Sequence, residues 1–114
     1  MDNATTLIYD GSFNGFLTAV YKAFDENINV LDIQKNTIAQ RGLFSNTKTV
    51  FTQMENAKSV WNGVQTKSHI AIRNIYFAFL SEQKDIEMLL YIFIKKLFSP
   101  TDMISINFTD DLES

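Results

Sequence analysis

The chain has 114 residues, a formal net charge of -3 at pH 7, 46% apolar and 20% charged residues, and no cysteine. That length buries one core of its own, that composition excludes wholesale disorder, and a chain without cysteine has no disulfide, thiolate metal site or cysteine nucleophile. No segment stays uncharged over the ~20 residues of a membrane span, and the first six residues lack the basic flank and apolar run of a signal peptide, so no membrane association and a cytoplasmic location are expected.

Thr5-Thr6-Leu7-Ile8-Tyr9 is β-branched and aromatic and ends on Asp10-Gly11, which predicts a short strand closed by a turn. Ser12 is then placed to cap a helix, and Phe13, Phe16, Leu17, Val20 and Phe24 recur at helical spacing up to Asp25. Over residues 28–33 the apolar pattern changes parity, so a strand there is weakly specified. Residues 36–46 read as an irregular connection with Leu43-Phe44 as an apolar plug, and Thr47-Lys48-Thr49-Val50-Phe51 as a further strand.

Thr52-Gln53-Met54-Glu55 matches a capping box, which predicts a helix starting on the Thr52 hydroxyl. Met54, Ala57, Val60, Trp61 and Val64 form its apolar stripe, and Gly63 weakens it unless a neighbouring backbone needs the space. After Thr66-Lys67-Ser68, residues 69–80 are apolar nearly all round, the pattern of a helix in the middle of a bundle. Ser81 is expected to cap the last helix. Glu82, Asp85 and Glu87 complement its positive end, and Ile86, Leu89, Leu90, Phe93 and Leu97 mark an inner face before Pro100 stops it. The expected architecture is α+β, mainly α: a bundle of about four helices with a two- or three-stranded sheet near the N-terminus. Residues 1–100 read as one domain and 101–114 as a tail with an acidic, frayed end.

Catalytic chemistry is not expected. The single histidine, His69, opens a helix with no recognisable base–carboxylate pairing, and one histidine without cysteine does not make a transition-metal site. The acidic residues are accounted for by helix-start electrostatics and a solvated terminus. The four glycines are too scattered for a phosphate loop. No catalytic, cofactor-binding or metal-binding residue is therefore assigned. Asp10, Gly11 and Ser12 form the most plausible small-ligand spot, because a strand leading into a helix N-terminus presents free N–H groups to an anion, although a turn and a cap account for them better.

Taken in order, Leu7-Ile8-Tyr9-Asp10-Gly11-Ser12-Phe13, Gly15-Phe16-Leu17-Thr18-Ala19-Val20, Gly42-Leu43-Phe44, Val50-Phe51-Thr52 with Glu55, Ala57, Val60 and Trp61, and Phe79-Leu80-Ser81-Glu82 closely resemble the N-terminal part of a bacterial family described as "probable DNA metabolism protein". The resemblance extends to about Phe98. It implies a domain found alone or joined to a uracil-DNA-glycosylase-like domain, and encoded beside a DNA modification and repair radical SAM protein. The family continues into a second half with a His-Arg pair and an aromatic-basic strand, for which these 114 residues have no counterpart. Its N-terminal part has no established catalytic residues, so none is carried over.

The resemblance and the acidic balance together imply a non-enzymatic accessory domain that partners a radical SAM or glycosylase-like protein. The apolar face of the last helix, with Leu90, Phe93, Ile94 and Leu97, is the expected interface, to the family's second half or in a homodimer. The alternative is direct nucleic-acid binding, with Lys22, Lys35, Arg41, Lys48 and Lys58 converging in the fold.

Overall fold

The computed structural model describes residues 4–37 and 46–98. In chain order these form β1 (Thr5–Tyr9), α1 (Phe13–Asp25), β2 (Val30–Lys35), β3 (Asn46–Thr49), α2 (Met54–Lys67), α3 (His69–Leu80) and α4 (Ile86–Leu97). Four helices and a three-stranded sheet near the N-terminus make the architecture α+β and mainly α, as the sequence predicts. Leu43, Phe44 and the tail from residue 99 lie outside the described residues.

The sheet is wholly parallel, with β1 between β2 and β3. Both neighbours are weak strands by their residues alone and are held by β1 through main-chain bonds, which do not depend on side-chain type. Thr5 N–H donates to Asn29 O, Asn36 N–H to Tyr9 O and Val50 N–H to Ile8 O. The parity change noted in 28–33 falls where the pairing shifts register between Thr5 and Thr6. The third strand is Asn46–Thr49 and ends before Val50 and Phe51.

The most enclosed helix is α1, in which six consecutive residues, Gly15 to Val20, are buried. Its Phe13 and Phe16 meet Tyr9 of β1, Trp61 of α2, and Tyr76 and Phe79 of α3 in one aromatic cluster, with Phe13 5.1 Å from Tyr76 and Phe16 5.5 Å from Phe79, between ring centroids. Because α1 holds the centre, α3 does not. Ala71, Ile72, Ile75 and Phe79 turn inward, whereas Ile70, Phe77 and Leu80 face solvent. The placement of residues 69–80 in the middle of a bundle is thus corrected.

Further expectations for α2 and for the start of α4 are also corrected. Thr52 does not cap α2: the capping position is Gln53, whose N–H is taken by the buried Thr18 hydroxyl at 3.2 Å. The Thr52 hydroxyl donates instead to Asp10, across 42 residues of chain. Ser81 ends α3, donating its N–H to Phe77 and Ala78 carbonyls, and α4 starts only at Ile86. Gly63 makes room for a side chain and not a backbone, since a Cβ there would lie 3.0 Å from the Phe98 ring. Met54, placed in the α2 stripe, is exposed, while Ala57, Val60 and Val64 are buried.

Candidate functional site at the carboxyl ends of the strands

The chain leaves β1, crosses to β2 on one side, and then pairs β3 on the other. In open parallel sheets such a reversal of direction leaves a crevice outside the carboxyl ends of the strands, where ligands bind. Three segments reach that end here: Asp10–Gly11–Ser12 after β1, Lys35 closing β2, and Val50–Phe51–Thr52 after β3.

The turn after β1 is tied by its own polar atoms. Asp10 Oδ1 accepts from Ser12 N–H at 2.8 Å and from Ser12 Oγ at 2.6 Å, and its Oδ2 accepts from Thr52 Oγ1 at 2.8 Å. Ser12 Oγ in turn accepts from Gly15 N–H at 2.9 Å, which makes Ser12 the N-cap of α1 as its sequence position predicts. Gly11 turns the chain at φ +93°, a conformation that favours glycine. The aliphatic stem of Lys35 runs beside it, 3.7 Å from where a Cβ would stand.

The structure thus brings Asp10, Gly11 and Ser12 together, but as a filled turn. Two of the donors that an external anion would use, the Ser12 and Gly15 N–H groups, are given to the Asp10 carboxylate and the Ser12 hydroxyl, and a negative charge already stands at the positive end of α1. This geometry favours the turn and cap over an anion site at these residues. The Ser12 hydroxyl, the Ser12 N–H and the Thr52 hydroxyl hold the Asp10 carboxyl below its ordinary range.

Folding lowers this pKa, so the unfolded chain holds the proton more tightly and acid favours unfolding. The contribution of Asp10 is complete above its unfolded value, about 3.9, and is lost as pH falls through the lower folded value. Asp10→Asn is therefore expected to be less stable than the parent at pH 7, with the difference narrowing below about pH 3.9. Urea titrations at pH 7 and pH 3 check this, and a difference that does not narrow contradicts it.

Two participants escape a reading of the sequence, Thr52 because its pattern matched a local cap, and Gly15 because it stands inside a helix. The signal for Gly15 is that glycine is costly there and needs a reason.

A second polar feature lies nearby in the core. The buried Tyr9 hydroxyl donates to Glu87 Oε2 at 2.8 Å, joining β1 to α4. Burial and the adjacent carboxylate push the Tyr9 phenol well above its usual range, so it remains a donor. Glu87 stands in the first turn of α4, as expected at a helix start, and is also turned inward. Glu82 pairs with Lys35 at 3.5 Å. His69 is exposed in the first turn of α3, where the cap is Ser68, which accepts from Ala71 N–H.

Of the residues expected at an interface, Leu90 and Ile94 are buried in the core, Leu97 is half-buried and Phe93 is 43% exposed. The inner face of α4 is set by Ile86, Leu90 and Ile94, four residues apart, together with Tyr91 and Glu87. Its solvent face is correspondingly Leu89, Ile92 and Phe93. Leu89, expected inside, is 59% exposed. An equivalent stripe of Ile70, Phe77 and Leu80 runs along α3.

Among the basic residues, Lys22 and Lys48 both bind Glu26 and hold its carboxyl below the ordinary range, while Lys35 is engaged by Glu82. Lys58 is on α2, and Arg41 lies outside the described residues. No helix among the described residues is long and apolar enough to cross a membrane. Compared with protein-family models, curated proteins and solved structures, the chain has no match.

Proposed function

We propose that the chain is a non-enzymatic interaction domain of bacterial DNA metabolism or repair, docking on a radical SAM or uracil-DNA-glycosylase-like protein without a cofactor or metal of its own. One observation supports the docking half of this reading. Ile70, Phe77 and Leu80 on α3, and Leu89, Ile92 and Phe93 on α4, present large apolar side chains to solvent at helical spacing. Apolar surface on this scale is stabilised when a partner covers it, and apolar stripes on helices suit a helix-on-helix or groove contact. The pathway rests on the family resemblance alone.

Co-purification from the organism of origin tests the proposal. Recovery of a radical SAM or glycosylase-like protein with the tagged chain is the expected result, and its repeated absence, with both proteins expressed, counts against it. Pairing of two copies through the same stripes is the competing outcome, and sedimentation would reveal it as a concentration-dependent dimer.

Direct nucleic-acid contact is less well supported. It needs cations free to replace counterions on phosphate, and Lys22, Lys48 and Lys35 are each engaged by a carboxylate in a chain of net charge -3. Filter binding that weakened steeply between two salt concentrations would favour it instead.

A further inference from the structure

We propose that the apolar groove between α1 and α2 is the seat of this chain's own segment 103–108, Met103-Ile104-Ser105-Ile106-Asn107-Phe108. The groove is distinct from the solvent stripes of α3 and α4, so the proposal stands or falls independently of the docking function.

The groove is lined by Tyr21 and Phe24 of α1, Val60 and Gly63 of α2, and Phe98. Its volume of about 350 Å³ lies at the lower end of ligand-pocket sizes, and Asp25 and Ser59 are the other residues in its wall. The absence of a side chain at Gly63 lets the Phe98 ring lie against α2, where a Cβ would stand 3.0 Å from it. Phe24 meets the same ring edge-on, with 5.9 Å between centroids. The end of α4 is thereby turned onto α1 and α2, and the aromatic surface beside it stays open.

Place and pattern identify the occupant. Phe98 is the last described residue and its ring is part of the groove wall, so the chain continues from the groove itself. Pro100 cannot continue α4, and proline favours extended backbone before it. The sequence then alternates: Ile104, Ile106 and Phe108 are apolar, and Ser105, Asn107 and Thr109 are polar. That period of two, in β-branched and aromatic residues, gives an extended segment one apolar face. Exposing such a face to water is unfavourable, and a narrow apolar groove covers it. Ile104 follows Phe98 by six residues, a reach of up to about 20 Å, which is ample for folding back onto the wall that Phe98 begins.

The tether favours this segment over any other occupant. A short flexible linker holds its cargo at a millimolar effective concentration, so a contact as weak as about 1 mM already fills the groove about half of the time. A second copy must reach that concentration in solution. Charge agrees with the placement. Lys67, whose Nζ stands 5.9 Å from the Phe98 ring centroid, makes no ion pair among the described residues. Asp102 lies four residues beyond Phe98, between it and the apolar segment.

The experiment is NMR of the full chain with labelled isoleucine methyls. Nuclear Overhauser contacts from the Ile104 and Ile106 methyls to the Tyr21, Phe24 or Phe98 rings are expected, with none between copies in a mixed sample of labelled and unlabelled chains. Ile104→Asp/Ile106→Asp should shift the amides of residues 21–25 and 59–63. Ser59→Trp, at an exposed position of the groove wall, should fill the groove and abolish the contacts. Should either variant not fold, the wild-type contacts and the mixed sample still decide. No contact from residues 103–108 to the groove, contacts centred on the β3 edge or on the α3 and α4 stripes, contacts only between copies, amides unmoved by the aspartates, or contacts that persist in a folded Ser59→Trp overturn the proposal.

Discussion

Phe16→Ala is expected to lower the stability of the fold by about 3–5 kcal/mol, measured as the change in urea midpoint at constant slope. Phe16 is fully buried in α1, with the Phe79 ring centroid at 5.5 Å, Tyr9 at 6.2 Å and Phe13 at 6.4 Å. Truncation removes one ring from three aromatic contacts at once and leaves a cavity between β1, α1 and α3 that neighbouring rings fill poorly. The matched comparison is Phe77→Ala on α3, where a ring of the same size is 57% exposed, and surface substitution there is expected to stay within about 0.5 kcal/mol. Equal losses at the two positions would contradict the inward and outward assignments of α1 and α3.

The second large effect is expected at Gly15. In an ordinary helix interior, glycine to alanine stabilises by up to about 1 kcal/mol. Here the added Cβ would stand 2.3 Å from Asp10 Oδ1, 2.9 Å from Thr52 Oγ1 and 3.0 Å from Ser12 Oγ. Asp10 cannot withdraw without breaking its bonds to Ser12 and Thr52. Gly15→Ala is therefore expected to destabilise by about 1–3 kcal/mol, the range of overpacked sites. In combination with Asp10→Ala the loss should be smaller than the sum of the two single losses, because the closest of these clashes disappears with the carboxylate. Denaturation of the two single variants and the double variant measures this. Stabilisation by Gly15→Ala, or strict additivity, would show that the turn is not tied as described.

What could be read from the sequence follows the range of the interactions involved. Thr5–Tyr9 and Phe13–Asp25 are specified locally, by β-branched residues, the Asp10-Gly11 turn and the Ser12 cap, and both elements form as predicted. Residues 69–80 and 86–97 are apolar on more than one face, so their sequence shows that they are helical without showing which face turns inward. That choice is made by packing against α1 and the sheet, and it moved Leu89 and Phe93 outward and Glu87 inward. Thr52 illustrates the same limit: Thr52-Gln53-Met54-Glu55 satisfies a local capping rule, but Asp10, distant in sequence, takes the hydroxyl. Of the candidate site, Asp10–Gly11–Ser12 was legible because its chemistry lies in consecutive residues. Gly15, Thr52 and the Tyr9–Glu87 pair depend on contacts that consecutive residues do not reveal.

The docking function is tested most directly by comparing the tagged wild-type chain with Phe77→Lys/Leu89→Lys, one change on each exposed stripe, in affinity purification from the organism of origin followed by mass spectrometry. Both residues are exposed, so the double variant should keep the wild-type circular dichroism and unfolding midpoint. The expected result is that the wild type recovers a radical SAM or glycosylase-like protein and the folded variant loses it. Equal recovery by both chains would contradict docking through α3 and α4, and no recovery by the wild type would contradict the partnership itself.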